Sequence, residues 1–339
     1  MEKTSKSAKT ICLPLSHEVI PTAHHLALMQ YYPNDLKPHT VVCIYSDQKR
    51  LKSVIFNLQT RRTICKQAFK SIGTKDSEEL SSPRVDSDAF VIKENNRTIM
   101  VLRYSETEFH LLSFPRLRVL YKFATHKPTK SKLIMCYINN KIVTWFKDEN
   151  LLTFWKLFST KPSSSLKLPF LVGSTYSQLT NRNLLILQNE KSKELAFVDV
   201  IKKQILKTIK VERNLYHSIN SEDRIFRYSA IFFQGAANGE CFCDTVSSDF
   251  QLTTLGREIG LRGPGTRLYF LDGAKLILRQ SLRKCEFFEL TDDQVIFYPA
   301  LRPKDERYSG FLQLPKEKRK FVLASRDGKL LFLQLGDGK

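Results

Sequence analysis

The sequence predicts an all-β protein. Short apolar runs rich in Val, Ile, Phe and Leu recur along the whole chain of 339 residues, and polar turns separate them. Apolar residues at helical spacing are scarce, and this pattern is typical of strands rather than helices. Since 42% of the residues are hydrophobic, the chain can bury a substantial core.

The apolar runs belong to a long repeat. A four-residue pattern (apolar, any residue, polar, apolar) recurs at regular spacing, with Thr245 in the last position of one copy. The second positions of the seven regularly spaced copies are Phe56, Leu112, Trp155, Val198, Cys243, Phe288 and Leu333. The intervals between these positions are 56, 43, 43, 45, 45 and 45 residues. A period of about 40–45 residues with several short strands per unit is typical of propeller blades. An exposed loop inserted at residues 70–87 explains the long first interval.

Each repeat has room for four strands. Two apolar runs precede most copies, as at residues 133–137 and 142–146, and a fourth run follows most copies, as at residues 205–209. The fold class that this predicts is all-β, a seven-bladed β-propeller of four-stranded blades. Two stacked β-sandwiches remain the alternative, although the steady spacing favours the propeller.

A run near the N-terminus can supply the strand that the last repeat lacks. The seventh copy stops at Leu335 with no fourth strand after it, while residues 9–15 form a run with no partner of their own. We therefore expect residues 1–16 to contain a closing strand that completes the last blade and removes an exposed sheet edge. The prediction is one domain spanning residues 1–339.

On these repeats, and on the Asp-Gly turn at Asp327 and Gly328, the chain resembles the WD40 family over nearly its whole length. It departs from the family because it contains no Trp-Asp dipeptide and no repeat-opening Gly-His dipeptide. Trp155 holds the Trp position of one copy, and Asp199 and Asp244 hold the Asp position of two others. We therefore expect a degenerate WD40-like propeller that rests mainly on apolar packing, without the buried His-Asp network of the family.

The charge balance predicts an anionic partner. Lys and Arg number 54 against 34 Asp and Glu, a formal net charge of +20. The seven cysteines are odd in number and lie mostly in apolar runs, which favours reduced, buried thiols in an intracellular protein. There is no apolar stretch of 18 residues or more, so we expect no transmembrane segment.

The sequence favours a protein that is not an enzyme and has no cofactor or metal. His24 and His25 point to opposite faces if they lie on a strand, and Cys241 and Cys243 have no second pair with which to bind zinc. The glycines at 256, 260, 263 and 265 lack the ending of a phosphate loop and indicate a flexible connection between repeats five and six. Phosphoinositide binding is not expected, because Leu261-Arg262-Gly263 is one Arg short of the propeller motif.

Turns between strands one and two and between strands three and four lie at the same face of a propeller, and much of the charge falls there. The candidate polyanion- or partner-binding residues are Arg61, Arg62, Lys93, Arg97, Arg116, Arg118, Lys202, Lys203, Lys316, Lys318, Arg319 and Lys320, and Lys141, Lys161 and Arg182 extend the same set. Repeats five and six place acidic residues there instead, namely Glu222, Asp223, Asp249, Asp272, Asp292 and Asp293. We therefore expect a basic arc over repeats seven and one to four, with an acidic gap at five and six.

These features predict a non-enzymatic interaction scaffold in a multiprotein nuclear or nucleolar assembly. Its partners would be other protein subunits and, through the basic face, an RNA or DNA backbone or another polyanion. No base-reading helix or stacking motif indicates sequence-specific recognition. The alternative is a cytoplasmic scaffold in vesicle trafficking or a ubiquitin-ligase substrate receptor. A propeller enzyme is a third class, but the convergent channel residues that it needs are not evident.

Overall fold

The structure is a computed structural model of the chain. It describes residues 8–9, 26–31, 40–47, 50–57, 62–69, 89–94, 97–103, 107–114, 116–125, 131, 133–189, 191–216, 218–220, 223–233, 236–261, 267–271, 275–280, 285–290, 295–301, 308–313, 320–325 and 330–335.

The described residues form strands and one short 3-10 helix. The first strands are β1 (Ala8–Lys9), β2 (Leu26–Tyr31), β3 (Thr40–Asp47), β4 (Arg50–Asn57), β5 (Arg62–Phe69), β6 (Ala89–Glu94), β7 (Arg97–Arg103), β8 (Glu108–Ser113), β9 (Val119–Ala124) and β10 (Leu133–Ile138). They are followed by β11 (Lys141–Phe146), β12 (Glu149–Lys156), β13 (Pro162–Val172), β14 (Tyr176–Leu179), the 3-10 helix (Thr180–Arg182), β15 (Leu184–Asn189), β16 (Glu194–Asp199), β17 (Gln204–Lys210), β18 (Asn214–Tyr216) and β19 (Ser218–Asn220). The last are β20 (Arg224–Phe233), β21 (Ala236–Val246), β22 (Leu252–Leu261), β23 (Arg267–Leu271), β24 (Leu276–Gln280), β25 (Cys285–Leu290), β26 (Val295–Leu301), β27 (Tyr308–Gln313), β28 (Lys320–Ser325) and β29 (Leu330–Leu335).

These strands pair into seven sheets within the described part of the chain, in sequence order except for β1 and β19. Sheets one, two and three contain β2–β5, β6–β9 and β10–β13; sheet four contains β14–β17, sheet five β18 with β20–β22, sheet six β23–β26 and sheet seven β27–β29 with β1. Each is a four-stranded antiparallel sheet, and sheet four gains a fifth strand because β19 pairs parallel with β14. The all-β class and the four-stranded repeat unit are therefore confirmed.

The first strand of the chain completes the last sheet. Ala8 pairs with Leu335 and Lys9 with Gln334, so β1 is the fourth strand of sheet seven, antiparallel to β29. The expected pairing between the two ends of the chain is thus present at Ala8–Lys9. The rest of the predicted closing segment, and the predicted loop at 70–87, lie outside the described residues.

The sheets fall into two compact units. One holds sheets three to six and the other holds sheets one, two and seven. The expectation that residues 1–339 form a single domain stays a prediction.

Apolar side chains from alternating strand positions fill the core of each unit. In the first unit, sheets three and four share a cluster that includes Trp145, Phe154 and Val198, all at most 1% exposed. In the second, Ile99 and Phe109 of sheet two are fully buried, and the Phe109 ring stacks on Phe123 at 4.6 Å between centroids. A fully buried side chain of this size contributes about 2–3 kcal/mol, so these contacts account for much of the stability.

Buried polar contacts add to this packing in two of the sheets. Trp155 Nε1 donates a hydrogen bond to Thr144 Oγ1 at 2.8 Å, between adjacent strands of sheet three. In sheet five, Arg227 forms an ion pair with the fully buried Asp244. The four-residue pattern marks one partner of each contact, Trp155 and Asp244, but it does not indicate the other partners, Thr144 and Arg227.

The predicted flexible connection at residues 256–265 is wrong for its first half. Gly256 and Gly260 lie inside β22, which runs to Leu261 because its partner β21 is eleven residues long. The backbone pairing, with Glu240 opposite Gly260, overrides the low strand propensity of glycine. Gly263 and Gly265 lie outside the described residues.

Candidate polyanion interface

The predicted basic turns lie at one end of their sheets. In an antiparallel sheet, the turns after the first and third strands are at the same end. For sheet three these turns are residues 139–140 and 157–161, for sheet four 180–183 and 200–203, and for sheet two the second of them is 114–118.

A cluster of lysines joins this end of sheet three to sheet four. Lys141 begins β11 and lies directly opposite Lys156, the last residue of β12. Lys141 Nζ donates hydrogen bonds to the carbonyl oxygens of Val200 at 3.0 Å and Ile201 at 3.4 Å, in the turn that carries Lys202 and Lys203. We call Lys141, Lys156, Lys202 and Lys203 the lysine cluster.

Two members of the lysine cluster, Lys156 and Lys203, act on the ammonium group of a third, Lys141. Partial burial lowers the pKa of Lys141, and the positive charges of Lys203 and Lys156 lower it further, while Asp199 opposes them. Like charges in such an arrangement repel, and an anion bound among them would relieve that repulsion.

Asp199 shapes the turn that carries two of these lysines. Its Oδ1 accepts the backbone N–H of Ile201 at 2.8 Å and of Lys202 at 2.9 Å, and Lys203 has the left-handed φ of 57° that closes the turn. An aspartate that accepts backbone N–H groups just after itself is a common turn former. Asp199, the polar residue of its four-residue copy, therefore serves a local turn here.

A second basic group lies at the same end of sheet two. Arg97, Arg116 and Arg118 are all exposed there. The turn between β8 and β9 is held by Ser113, whose N–H donates to the Arg118 carbonyl at 2.8 Å and whose Oγ accepts the Arg118 N–H at 3.1 Å. Leu117 is buried between the two arginines, so they flank an anchored residue and reach into solvent. We call these three residues the arginine group.

Arg182 has a structural role. Its guanidinium donates to the carbonyl oxygens of Val246, Ser247 and Ser248, lies 3.7 Å from the Asp223 carboxylate and stacks over the Phe250 ring at 4.9 Å. It thereby ties sheet four to the turn of sheet five instead of offering its charge to a ligand. Lys161, just before β13, is exposed as predicted.

Several predicted residues are not described at the level of their side chains. Arg61, Lys316, Lys318 and Arg319 lie outside the described residues, while Arg62 begins β5, Lys93 lies in β6 and Lys320 begins β28. For these residues the basic arc stays a prediction.

The predicted acidic gap is described at two positions. The charge of Asp223 is partly neutralised by Arg182. Asp249 is exposed, and a hydrogen bond from Ser247 helps to hold the pKa of the Asp249 carboxyl below the ordinary value. The carbonyl of Asp249 accepts the Lys207 ammonium at 2.7 Å. Glu222, Asp272, Asp292 and Asp293 lie outside the described residues.

The described thiols are packed core groups. Cys136 and Cys241 are buried, and burial raises the pKa of each thiol, which keeps both protonated at neutral pH. Cys243 is buried on the same strand as Cys241, in agreement with the predicted packing role.

Within the described ranges, no group of three or more His, Cys, Asp or Glu side chains is placed to hold a metal ion. In those same ranges, no helix is long and apolar enough to cross a membrane.

Sequence reasoning missed Ile201. This side chain is 49% exposed at the tip of the turn between Val200 and Lys202. Its signal in the sequence was a single apolar residue beside two lysines, directly after the turn-forming Asp199.

No protein-family model matches the chain, and no curated protein sequence matches it.

Proposed function

We propose that this chain is a non-enzymatic scaffold subunit of a multiprotein nuclear or nucleolar assembly, and that its basic face contacts the phosphate backbone of RNA or DNA. The observation that carries the proposal is the arginine group, which presents three exposed guanidinium groups at one end of sheet two. Guanidinium forks suit phosphate oxygens because they can donate two parallel hydrogen bonds to one phosphate.

The scaffold role rests on a propeller architecture, which is part of this proposal. We propose that the seven sheets are the blades of one WD40-like propeller and that β1 closes the ring. Its support is the order of four-stranded sheets along the chain and the pairing of Ala8 with Leu335. A rigid disc of this kind offers loops and strand edges to several partners at once.

Phosphate contact, without base reading, fits the chemistry of the arginine group. Arg116 and Arg118 extend from a short turn whose middle residue, Leu117, is buried. The arginines of such a turn can contact the phosphates of a nucleic-acid backbone. The turn itself is not a helix or a strand ribbon that could enter a groove and read base edges. Binding should therefore depend strongly on salt and weakly on nucleotide sequence.

The test is binding of the full chain to a labelled single-stranded RNA and a DNA duplex, measured by fluorescence anisotropy between about 50 and 200 mM salt. We expect the double variant Arg116→Glu with Arg118→Glu to weaken binding of both and to reduce the salt slope by about 1.5–2. Lys122→Glu is compared with Arg116→Glu alone, because each reverses one charge and Lys122 is exposed on β9 of the same sheet, away from the turn.

Equal affinity and equal salt slope in the double variant and in the unmodified protein would refute phosphate contact through the arginine group. The assembly itself is tested by purifying the native complex with and without nuclease treatment. Protein partners that remain after treatment support the scaffold role, and a chain recovered alone under both conditions refutes it.

A further inference from the structure

The turn at residues 200–203 combines an exposed apolar side chain with a fixed backbone. Ile201 is 49% exposed, whereas Val200 beside it is fully buried in the cluster shared by sheets three and four. The buried valine anchors the turn from below, so that the isoleucine projects from its tip.

Hydrogen bonds from three sides hold this turn in place. Asp199 accepts the N–H groups of Ile201 and Lys202, and the Val200 N–H donates to the Asn183 carbonyl of the neighbouring turn at 3.1 Å. Lys141, from sheet three, donates to the carbonyl oxygens of Val200 and Ile201. A surface fixed in this way loses little conformational entropy when a partner binds.

The charges around Ile201 are mainly positive. The four residues of the lysine cluster lie in this turn or beside it, and the nearby carboxylate, that of Asp199, already accepts two backbone N–H groups. The charges of Lys203 and Lys156 both act on Lys141 and help to lower its pKa. The arrangement is an apolar centre with a cationic rim, which is the common anatomy of a small protein interface.

We propose that the 200–203 turn is a docking surface for an acidic segment of another protein that carries an apolar side chain. Carboxylates would pair with Lys156, Lys202 and Lys203 while the apolar side chain covers Ile201. A phosphate backbone would use the lysines but would gain nothing from Ile201, so the apolar centre favours a protein partner. The inference rests on the proposed scaffold function and names one of its partners.

The experiment uses the full chain and three labelled probes. The first is a glutamate-rich peptide of about twelve residues with two leucines, the second is the same peptide with both leucines replaced by serine, and the third is an oligouridine of similar charge. Binding is measured by fluorescence anisotropy at one ionic strength. We expect the leucine peptide to bind about fivefold more tightly than the serine peptide.

Two variants separate the apolar centre from the cationic rim. Ile201→Ser should weaken the leucine peptide about fivefold and leave the serine peptide and oligouridine unchanged. Lys156→Glu with Lys202→Glu should weaken both peptides. The matched control is Ile219→Ser, because Ile219 is 48% exposed but lies in β19, outside the turn. Circular dichroism is recorded for each variant to check that it retains its strand content.

The proposal is overturned if the leucine and serine peptides bind equally, or if Ile201→Ser and Ile219→Ser behave alike. Oligouridine binding that depends on Lys202, with no binding of the leucine peptide, also overturns it and assigns the turn to nucleic acid. None of these results bears on the proposed phosphate contact of Arg116 and Arg118. That contact is tested separately by the Arg116 and Arg118 variants.

Discussion

Arg227 and Asp244 form a two-point ion pair inside sheet five. Arg227 Nη2 donates to Asp244 Oδ1 at 3.0 Å and Arg227 Nε donates to Oδ2, while Thr254 Oγ1 donates to Oδ1 at 2.6 Å. The Asp244 side chain is fully buried, and that of Arg227 is 11% exposed. A carboxylate in this position is tolerated only because strands on both sides satisfy its oxygen atoms.

Removing the cation should therefore be costly. We expect Arg227→Met to lower the free energy of unfolding by about 3–5 kcal/mol, because Asp244 would remain as a buried charge without its partner. The measurement is urea unfolding followed by circular dichroism, with Lys210→Met, an exposed strand-end lysine, as the control.

The double variant Arg227→Met with Asp244→Leu checks the cause. Because it removes both charges, we expect it to be more stable than Arg227→Met alone. If the single variant costs less than about 1 kcal/mol, the pair contributes no more than a surface salt bridge and the argument from burial is wrong.

The hydrogen bond from Trp155 to Thr144 gives a second prediction. Thr144→Val keeps the shape of the side chain but removes the acceptor of the buried indole N–H, so we expect a loss of about 1–3 kcal/mol in the free energy of unfolding. Thr153→Val is the matched control, because Thr153 lies opposite Thr144 on the next strand and is only half-buried. A loss of equal size in both variants would mean that the indole contact adds nothing specific.

Much of the fold could be predicted because the repeat is a property of the sequence order alone. Trp155, Val198 and Phe288 mark the third strands of three repeats, and they lie in β12, β16 and β25, each the third strand of its sheet. The turns that follow the third strands can be located by counting from these repeat positions. The sequence therefore placed Arg116 and Lys202 correctly at exposed turn positions.

The remaining features depend on contacts between distant residues. The bond from Lys141 to the Val200 carbonyl joins residues 59 positions apart, and nothing in the local sequence of either residue indicates it. The parallel strand β19 has only three residues, too few to show a periodic pattern, and it forms by pairing with β14. Arg182 was expected on a ligand-binding surface, but its role became visible only with the carbonyl groups that it holds.

His110 should make stability depend on pH. Its side chain is 2% exposed, and burial lowers its pKa below the ordinary 6.5, although Glu108 opposes the shift. The unfolded chain therefore binds the proton at a higher pH than the folded chain does. The stabilising contribution is complete above pH 6.5 and is lost as the pH falls towards the folded pKa, with a slope of at most ~1.4 kcal/mol per pH unit.

The measurement for His110 is urea unfolding between about pH 7.5 and pH 5. His110→Gln removes the titrating group, so its stability should decline less over this range than that of the unmodified protein. Parallel curves for the two proteins would assign the acid sensitivity to other groups.

Closure of sheet seven by the N-terminal strand gives the last prediction. Deleting residues 1–10 removes Ala8 and Lys9, which pair with Leu335 and Gln334, and leaves β29 as an unpaired edge. We expect the melting temperature to fall by a few degrees, as a loss of about 1–2 kcal/mol produces in a chain of this size, and aggregation at the exposed edge to increase. Deleting only residues 1–6 is the matched control, because it shortens the same end of the chain but retains β1. Both deletions remove lysines and reduce the net charge. The melting temperatures are therefore measured at several salt concentrations, because salt screens the effect of the lost charge but not that of the lost strand pairing. Two truncated proteins with equal melting temperatures and equal solubility would show that β1 adds no stability, and the proposed closure of a ring by this strand would then fail.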